Sequence, residues 1–324
     1  MADQRSLPTW QLFAIAVAIW STTWHAILYQ LEHTPPEASV ALRFALAGVL
    51  ALGVAAWSGE RLRCTVREHL RIALQGAFMY SLAYACIYHA ERHVASGLVA
   101  VGYSASPLVT GIGAWLVWRS PLSPRFLVGG VLCVAGVALI FTPEFAGLSI
   151  GDATLQGALF TGAAVALSAV GSLLSSRNGA HRLPLWSAMG WGMLYSALLS
   201  AAIAGATGVG RGQGAAWALP SPLVAPAWWL SLAYLALAGS VVAFACYLTL
   251  QQRVGPGAAS TVGVMTPVLA LAISATFEGF APVALTWLGA ALAVAGNVLI
   301  LRPAAGLTNG LQDGSPTYNP RPDS

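Results

Sequence analysis

One unit of this chain is written twice. When the sequence is slid by 160 residues, Val94–Ile140 falls without a gap on Val254–Ile300. Val94 meets Val254, Gly97 meets Gly257 and Pro107 meets Pro267, and segment 129–140 meets segment 289–300 with seven of twelve positions identical. Upstream, Ala83, Ala85 and Cys86 fall on Ala243, Ala245 and Cys246. A self-match at fixed offset marks a duplicated architecture, so the fold has to be one that pairs two like halves. In the early spans of each copy the best offset drops to 147–148, and the Gly/Pro-rich connection 207–226 absorbs the difference.

Hydropathy says what the unit is. Hydrophobic residues make up 57% of the chain and charged residues only 8%, against about 25% charged in soluble domains. Apolar runs long enough to cross a bilayer are read at 10–29, 38–57, 72–90, 94–118, 126–141, 153–175, 185–206, 228–250, 257–277 and 282–301. The first run lacks a cleavage site and is expected to stay in the membrane. Five spans per copy is an odd number, so the second copy enters from the opposite side and the halves form an inverted repeat. The expectation is an all-α polytopic membrane protein of ten transmembrane helices in two inverted five-helix repeats. They occupy residues 1–150 and 151–303, and a disordered tail fills 304–324.

Arginines set the orientation. With the N-terminus inside, the inner side holds Arg5, Arg61, Arg63, Arg67, Arg71, Arg119, Arg125, Arg177, Arg182, Arg253 and Arg302, and the outer side only Arg92 and Arg211. That bias predicts cytoplasmic termini. The four scattered cysteines show no CxxC spacing, so neither a disulfide frame nor a metal site is indicated.

Candidate functional residues are those that polar or aromatic chemistry places in mid-span. Ser21, Thr22 and Trp24 lie on span one, and Tyr80, Tyr84 and Tyr88 repeat every fourth residue on span three, along one helical face. Tyr103, Ser168, Ser172, Phe244, Tyr247, Met265 and Thr266 complete a predicted solute-binding set, rings for an apolar part and hydroxyls for a polar end. Pro107 and Pro267 stand near the middle of equivalent spans as hinge or gating candidates, freeing the carbonyls of Tyr103 and Gly263. Arg43 is the one arginine within a span, with a functional role and snorkelling to the interface weighed equally. His25 and His89 are read first as satisfied core or interfacial histidines, and Glu37 and Glu278 as structural groups at span ends. No carboxylate is expected deep in a span, although protons remain among the expected partners as a coupling ion.

The sequence holds no HExxH, GxSxG, Walker or Cys/His motif, so no catalytic residue, cofactor or metal is expected. A membrane enzyme acting on lipid-linked substrates would need His69, Glu91, His93 and His181 to cluster, and as exposed residues they do not cluster in sequence. A structural or assembly membrane protein with a solid core is the other alternative, and the polar and aromatic mid-span residues argue against it.

Four stretches resemble the drug/metabolite transporter superfamily and within it the EamA family. They are the two-copy ten-span layout, segment 35–48 (PPEASVALRFALAG), the pair 94–109 and 254–269, and segment 277–300 with its Glu before the last span. The resemblance implies a central cavity lined by spans one, three, four, six, eight and nine, worked by alternating access. It implies export of amino acids or related small metabolites across a bacterial inner membrane, with a YddG-like amino-acid exporter as the nearest subtype. The implied partners are a small-molecule substrate and the lipid bilayer, without nucleic acid. The sequence departs from the pattern at segment 118–123 (WRSPLS), where a Glu is usual, and at segment 20–25 (WSTTWH).

Overall fold

The computed structural model describes residues 7–119, 123–145, 153–210, 219–223 and 225–301. The expected boundary at 150/151, the tail 304–324, and Arg5, Arg211 and Arg302 lie outside the described residues. Among the described residues the secondary structure is all helical, with no strand. The helices are α1 (Thr9–Leu31), α2 (Pro36–Trp57), α3 (Val66–Glu91), α4 (Ser96–Trp118), α5 (Pro124–Phe145), α6 (Ala153–Ala180), α7 (Leu185–Gly210), α8 (Pro226–Val254), α9 (Val262–Phe277) and α10 (Ala284–Leu301). Seven of them, α1–α4 and α6–α8, are long and apolar enough to cross a membrane; α5, α9 and α10 contain the shorter apolar helices Pro124–Ile140, Met265–Phe277 and Ala284–Ile300.

Local chemistry sets the ends. Pro36 and Pro226 open α2 and α8, where a missing N–H costs nothing. α3 opens on a capping box, Thr65 with Glu68. Gly255, at φ 83°, ends α8 in a backbone region that favours glycine. The turn Pro256–Ala259 then leads into α9.

The helices pack in matched pairs. α2 lies along α7, α5 along α10 and α4 along α9, while α3 packs on α6 as α8 packs on α1. Exchanging the labels α1–α5 for α6–α10 returns the same set of pairs. Two π-turns obey the same relation: Ala77–Leu82 in α3 and Leu237–Val242 in α8 stand 160 residues apart. At the α5–α10 seam the glycines meet reciprocally. A Cβ on Gly136 would stand 2.5 Å from the Gly289 carbonyl oxygen, and one on Gly289 would stand 2.5 Å from that of Gly136. Such close approach is how helices associate where lipid removes the hydrophobic drive. The outward faces carry Leu46, Val49, Val131, Leu198 and Leu230, while Ser81 and Ser200 share a 2.7 Å hydrogen bond inside. Apolar outside with hydroxyls inside reverses the pattern of a soluble core and fits a bilayer as solvent. The chain is a multi-pass membrane protein.

Candidate functional site

The walls of a central cavity come from α1, α3, α4, α6, α8 and the segment 260–266 that enters α9. It holds about 800 Å³ of space not filled by atoms, part of it continuous with the outside. These are the six spans that the family resemblance assigns. α1 contributes Trp20, Thr23, Trp24 and Ile27, whose spacing of three, four and seven marks one helical face. α4 contributes Tyr103, Ser106 and Thr110 on the same principle, and α6 contributes Ser168, Ala169 and Ser172. The rings interlock: Trp20 meets Phe244 edge-on at 5.1 Å, and Trp24 meets Tyr103 at 5.2 Å. Hydroxyls bridge the walls, Tyr103 with Ser168 at 2.9 Å and Ser172 with Tyr247 at 3.1 Å. No charged side chain is among the lining residues. Trp24 Nε1 and Ser106 Oγ are buried and have no hydrogen-bond partner.

Eight of the twelve predicted binding residues line this space: Trp24, Tyr84, Tyr103, Ser168, Ser172, Phe244, Tyr247 and Thr266. The other four lie elsewhere. Ser21 turns its hydroxyl onto the Val17 carbonyl of its own helix. Thr22 faces out and bonds Tyr234 OH at 2.5 Å. Met265 is 44% exposed. Tyr80 is fully buried between Phe44 and Phe244, at 5.4 and 4.8 Å. Its displacement has a local cause. A π-turn closes i→i+5, so across Ala77–Leu82 the cavity face passes from Met79 to Tyr84 just beyond it, five residues on, and Tyr80 rotates behind it. The lining residues outside the predicted set include Trp20, Thr23, Met79 and Ser106. The α1 spacing alone was signal enough for the first two.

The hinge candidates sit at matched breaks. Pro107 follows a 3₁₀ turn over Tyr103–Ala105, where the Ser106 N–H takes up the Tyr103 carbonyl. Pro267 lies inside α9, and the Thr266 hydroxyl donates to the freed Gly263 carbonyl at 3.2 Å. The two breaks touch, since a Cβ on Gly263 would come within 3.4 Å of the Tyr103 carbonyl oxygen.

Arg43 does not snorkel. It is fully buried one layer behind the cavity, donating from Nε to Ser240 Oγ at 2.9 Å and from Nη2 to the Gly239 carbonyl at 3.4 Å. Its guanidinium stands 4.6 Å from the centre of the Tyr84 ring. Trp20 Nε1 donates to the same Gly239 carbonyl at 3.1 Å, so Arg43 and Trp20 together hold the π-turn of α8 against the wall.

Carboxylates tie neighbouring helices together where α9 ends and α4 begins. Glu278, just past α9, accepts from the Ser96 N–H at 3.0 Å, the Ser96 hydroxyl at 2.5 Å and the Ser274 hydroxyl at 2.5 Å, and pairs with His25 Nδ1 at 3.0 Å. Burial alone would raise the pKa of Glu278, but these hydrogen bonds hold it below the ordinary carboxylate value. Nearby, His89 and Glu37 pair at 2.7 Å, and His89 stacks on Phe160. Both histidines are therefore satisfied, as expected. Glu91 is not the exposed residue it was read as: it is only 6% exposed.

The model of the EamA-like transporter family matches residues 8–142 and again 155–302. The chain belongs to the EamA-like transporter family. Among its relatives, this EamA-like protein is 26% identical over 304 residues to "Uncharacterized inner membrane transporter YedA" of Escherichia coli K12, covering 89% of each chain. An "Uncharacterized transporter" of Archaeoglobus fulgidus is 28% identical over 139 residues, 43% of this chain and 49% of that one. A solved crystal structure superposes with a TM-score of 0.64 at 19% identity, over 94% of this chain and 98% of the other. At that identity the likeness speaks for the fold alone.

Proposed function

We propose that this protein is a secondary transporter of the bacterial inner membrane that exports amino acids or similar small metabolites by alternating access. The observation that carries this reading is a cavity walled equally by the two sequence halves, α1, α3 and α4 against α6, α8 and α9, with rings and hydroxyls but no charge. Such walls suit a neutral or zwitterionic solute with an apolar side chain. A phosphorylated sugar would need a cation in the wall, and Arg43 is not among the lining residues but lies behind them, donating to Ser240 and Gly239.

In this reading residues 1–150 and 151–303 are inverted repeats, ten spans in all, with both termini cytoplasmic. The exchangeable helix pairs and the paired π-turns support it. The breaks at Pro107 and Pro267 serve as hinges, and the Glu278 end is the outer gate. Protons are the coupling ion. Purified protein in liposomes, loaded with a panel of aromatic and aliphatic amino acids, amines and sugar phosphates, tests the proposal. Efflux of the zwitterionic members is expected, reduced by Tyr84→Ala and Phe244→Ala. Movement of none of the panel would refute it.

A further inference from the structure

Glu91 is the last residue of α3, at the end tied by Glu278. It is 6% exposed, and neither of its carboxyl oxygens has a hydrogen-bond partner. Its neighbours explain why no cation reaches it. From α2, Arg43 acts on it only through space, its Nε and Nη2 donating to Ser240 and Gly239 while its Nη1 makes no hydrogen bond, to Glu91 or to any other group, and Glu37 is paired with His89. From α1, His25 is committed to Glu278, and from beyond α9 Glu278 adds a second negative field. α6 presents the uncharged Phe160 ring to His89 and His93, while Ser96 of α4 gives its N–H and hydroxyl to Glu278. Arg92, the next residue, is exposed.

An ionised carboxylate shut away without a partner is among the costliest arrangements in a protein, and such a group neutralises instead. Protonating an ordinary glutamate at pH 7 is only about a 500-fold disadvantage. We propose that Glu91 is a proton-binding site of this protein, taking up one proton each time the Glu278 end closes. Closing converts the hydrated carboxylate and a hydronium ion into the neutral acid and water, and opening reverses it. The closed form binds more protons, so it gains on the open form as pH falls, by up to tenfold per pH unit for one proton. The role in a transport cycle rests on the carrier reading above; the protonation itself does not.

Two measurements separate these. Infrared difference spectra of purified wild type against E91Q at pH 7 should show the carbonyl band of a protonated carboxylic acid in the wild type and its loss in E91Q. Loss of carboxylate bands instead overturns the proposal, and so does the absence of any acid band in the wild type, which needs no variant to be seen. In liposomes, wild-type efflux should depend on pH at the Glu278 side, and E91Q, which mimics the neutral acid, should run without that dependence. A dependence that persists unchanged in E91Q also overturns it. If no solute moves, the carrier reading fails while the infrared band still decides Glu91.

Discussion

Glu278→Ala should unlatch one end of the cavity. Of the hydrogen bonds that Glu278 accepts, the one from Ser274 is local to α9 and survives opening. Three cross between helices: two from Ser96 at the start of α4 and one from His25 on α1. A hydrogen bond to a charged group contributes about 1.5–3 kcal/mol, but these three share two oxygens and are not additive. We therefore expect about 3 kcal/mol for the set, roughly a hundredfold shift toward the open end. The assay is reaction of a single cysteine at Ile27 or Ile87, both buried in the cavity wall, with a maleimide that cannot cross the membrane. Cys64, Cys86, Cys133 and Cys246 are first replaced by serine. Labelling from the outside should accelerate by about that factor, and labelling of Ser260→Cys, toward the other end, should slow. Unchanged rates at Ile27 and Ile87 in a well-expressed variant would refute the latch. The pH sign keeps Glu278 apart from Glu91. Its pKa is lowered in the closed form, so its contribution is present above the ordinary carboxylate value and fades only as pH falls through the lowered one. Between pH 5 and 8 it is constant.

Arg43→Ala should lower thermal stability by about 2–4 kcal/mol, because it strands Ser240 and removes the cation over Tyr84; melting of the detergent-solubilised protein checks it, and a neutral result would mean that the π-turn holds itself. Gly289→Leu should cost about 1–3 kcal/mol by prising α10 off α5, whereas Gly162→Ala, with nothing within 4 Å of the added carbon, should melt like wild type. Tyr84→Ala and Phe244→Ala should each cut efflux of an aromatic amino acid by roughly tenfold, the scale of about 1.4 kcal/mol for a lost ring contact. Thr22→Ala and Met265→Ala, which lie off the cavity, should leave it unchanged in the same liposomes.

The duplication was legible because it is a property of the sequence itself: Pro107 and Pro267 align by counting, and the α5–α10 glycines follow from segments 129–140 and 289–300. Apolar length gave the helices because the bilayer imposes one dimension on every span. What sequence could not give was partnership across the bundle. His25 and Glu278 are 253 residues apart and His89 and Glu37 are 52 apart, and nothing local to any of them names the other. Burial is equally non-local. Glu91 stands beside Arg92 in a polar stretch and reads as surface, yet the packing of α3 takes it out of water.

The exchange of Met79 for Tyr80 on the wall has a sharper cause. A four-residue rhythm of tyrosines on α3 predicts one face only if the helix keeps 3.6 residues per turn, and Ala77–Leu82 does not. The wide turn moves Tyr80 into the core and Met79 onto the cavity. In α8 the equivalent turn presents the Gly239 carbonyl to Arg43 and Trp20, and a Cβ at Gly239 would stand 2.8 Å from Thr23 Cγ2 and 3.2 Å from Arg43 Nη2. The π-turn, its glycine and the buried arginine therefore form one device, and they explain each other. Gly239→Ala tests it directly: the added methyl must push Thr23 or Arg43 away, so it should disturb the cavity wall through α1, while Gly162→Ala on α6 should not. Equal efflux from the two variants would mean that the carbonyl is only a structural anchor and that the wall does not depend on it.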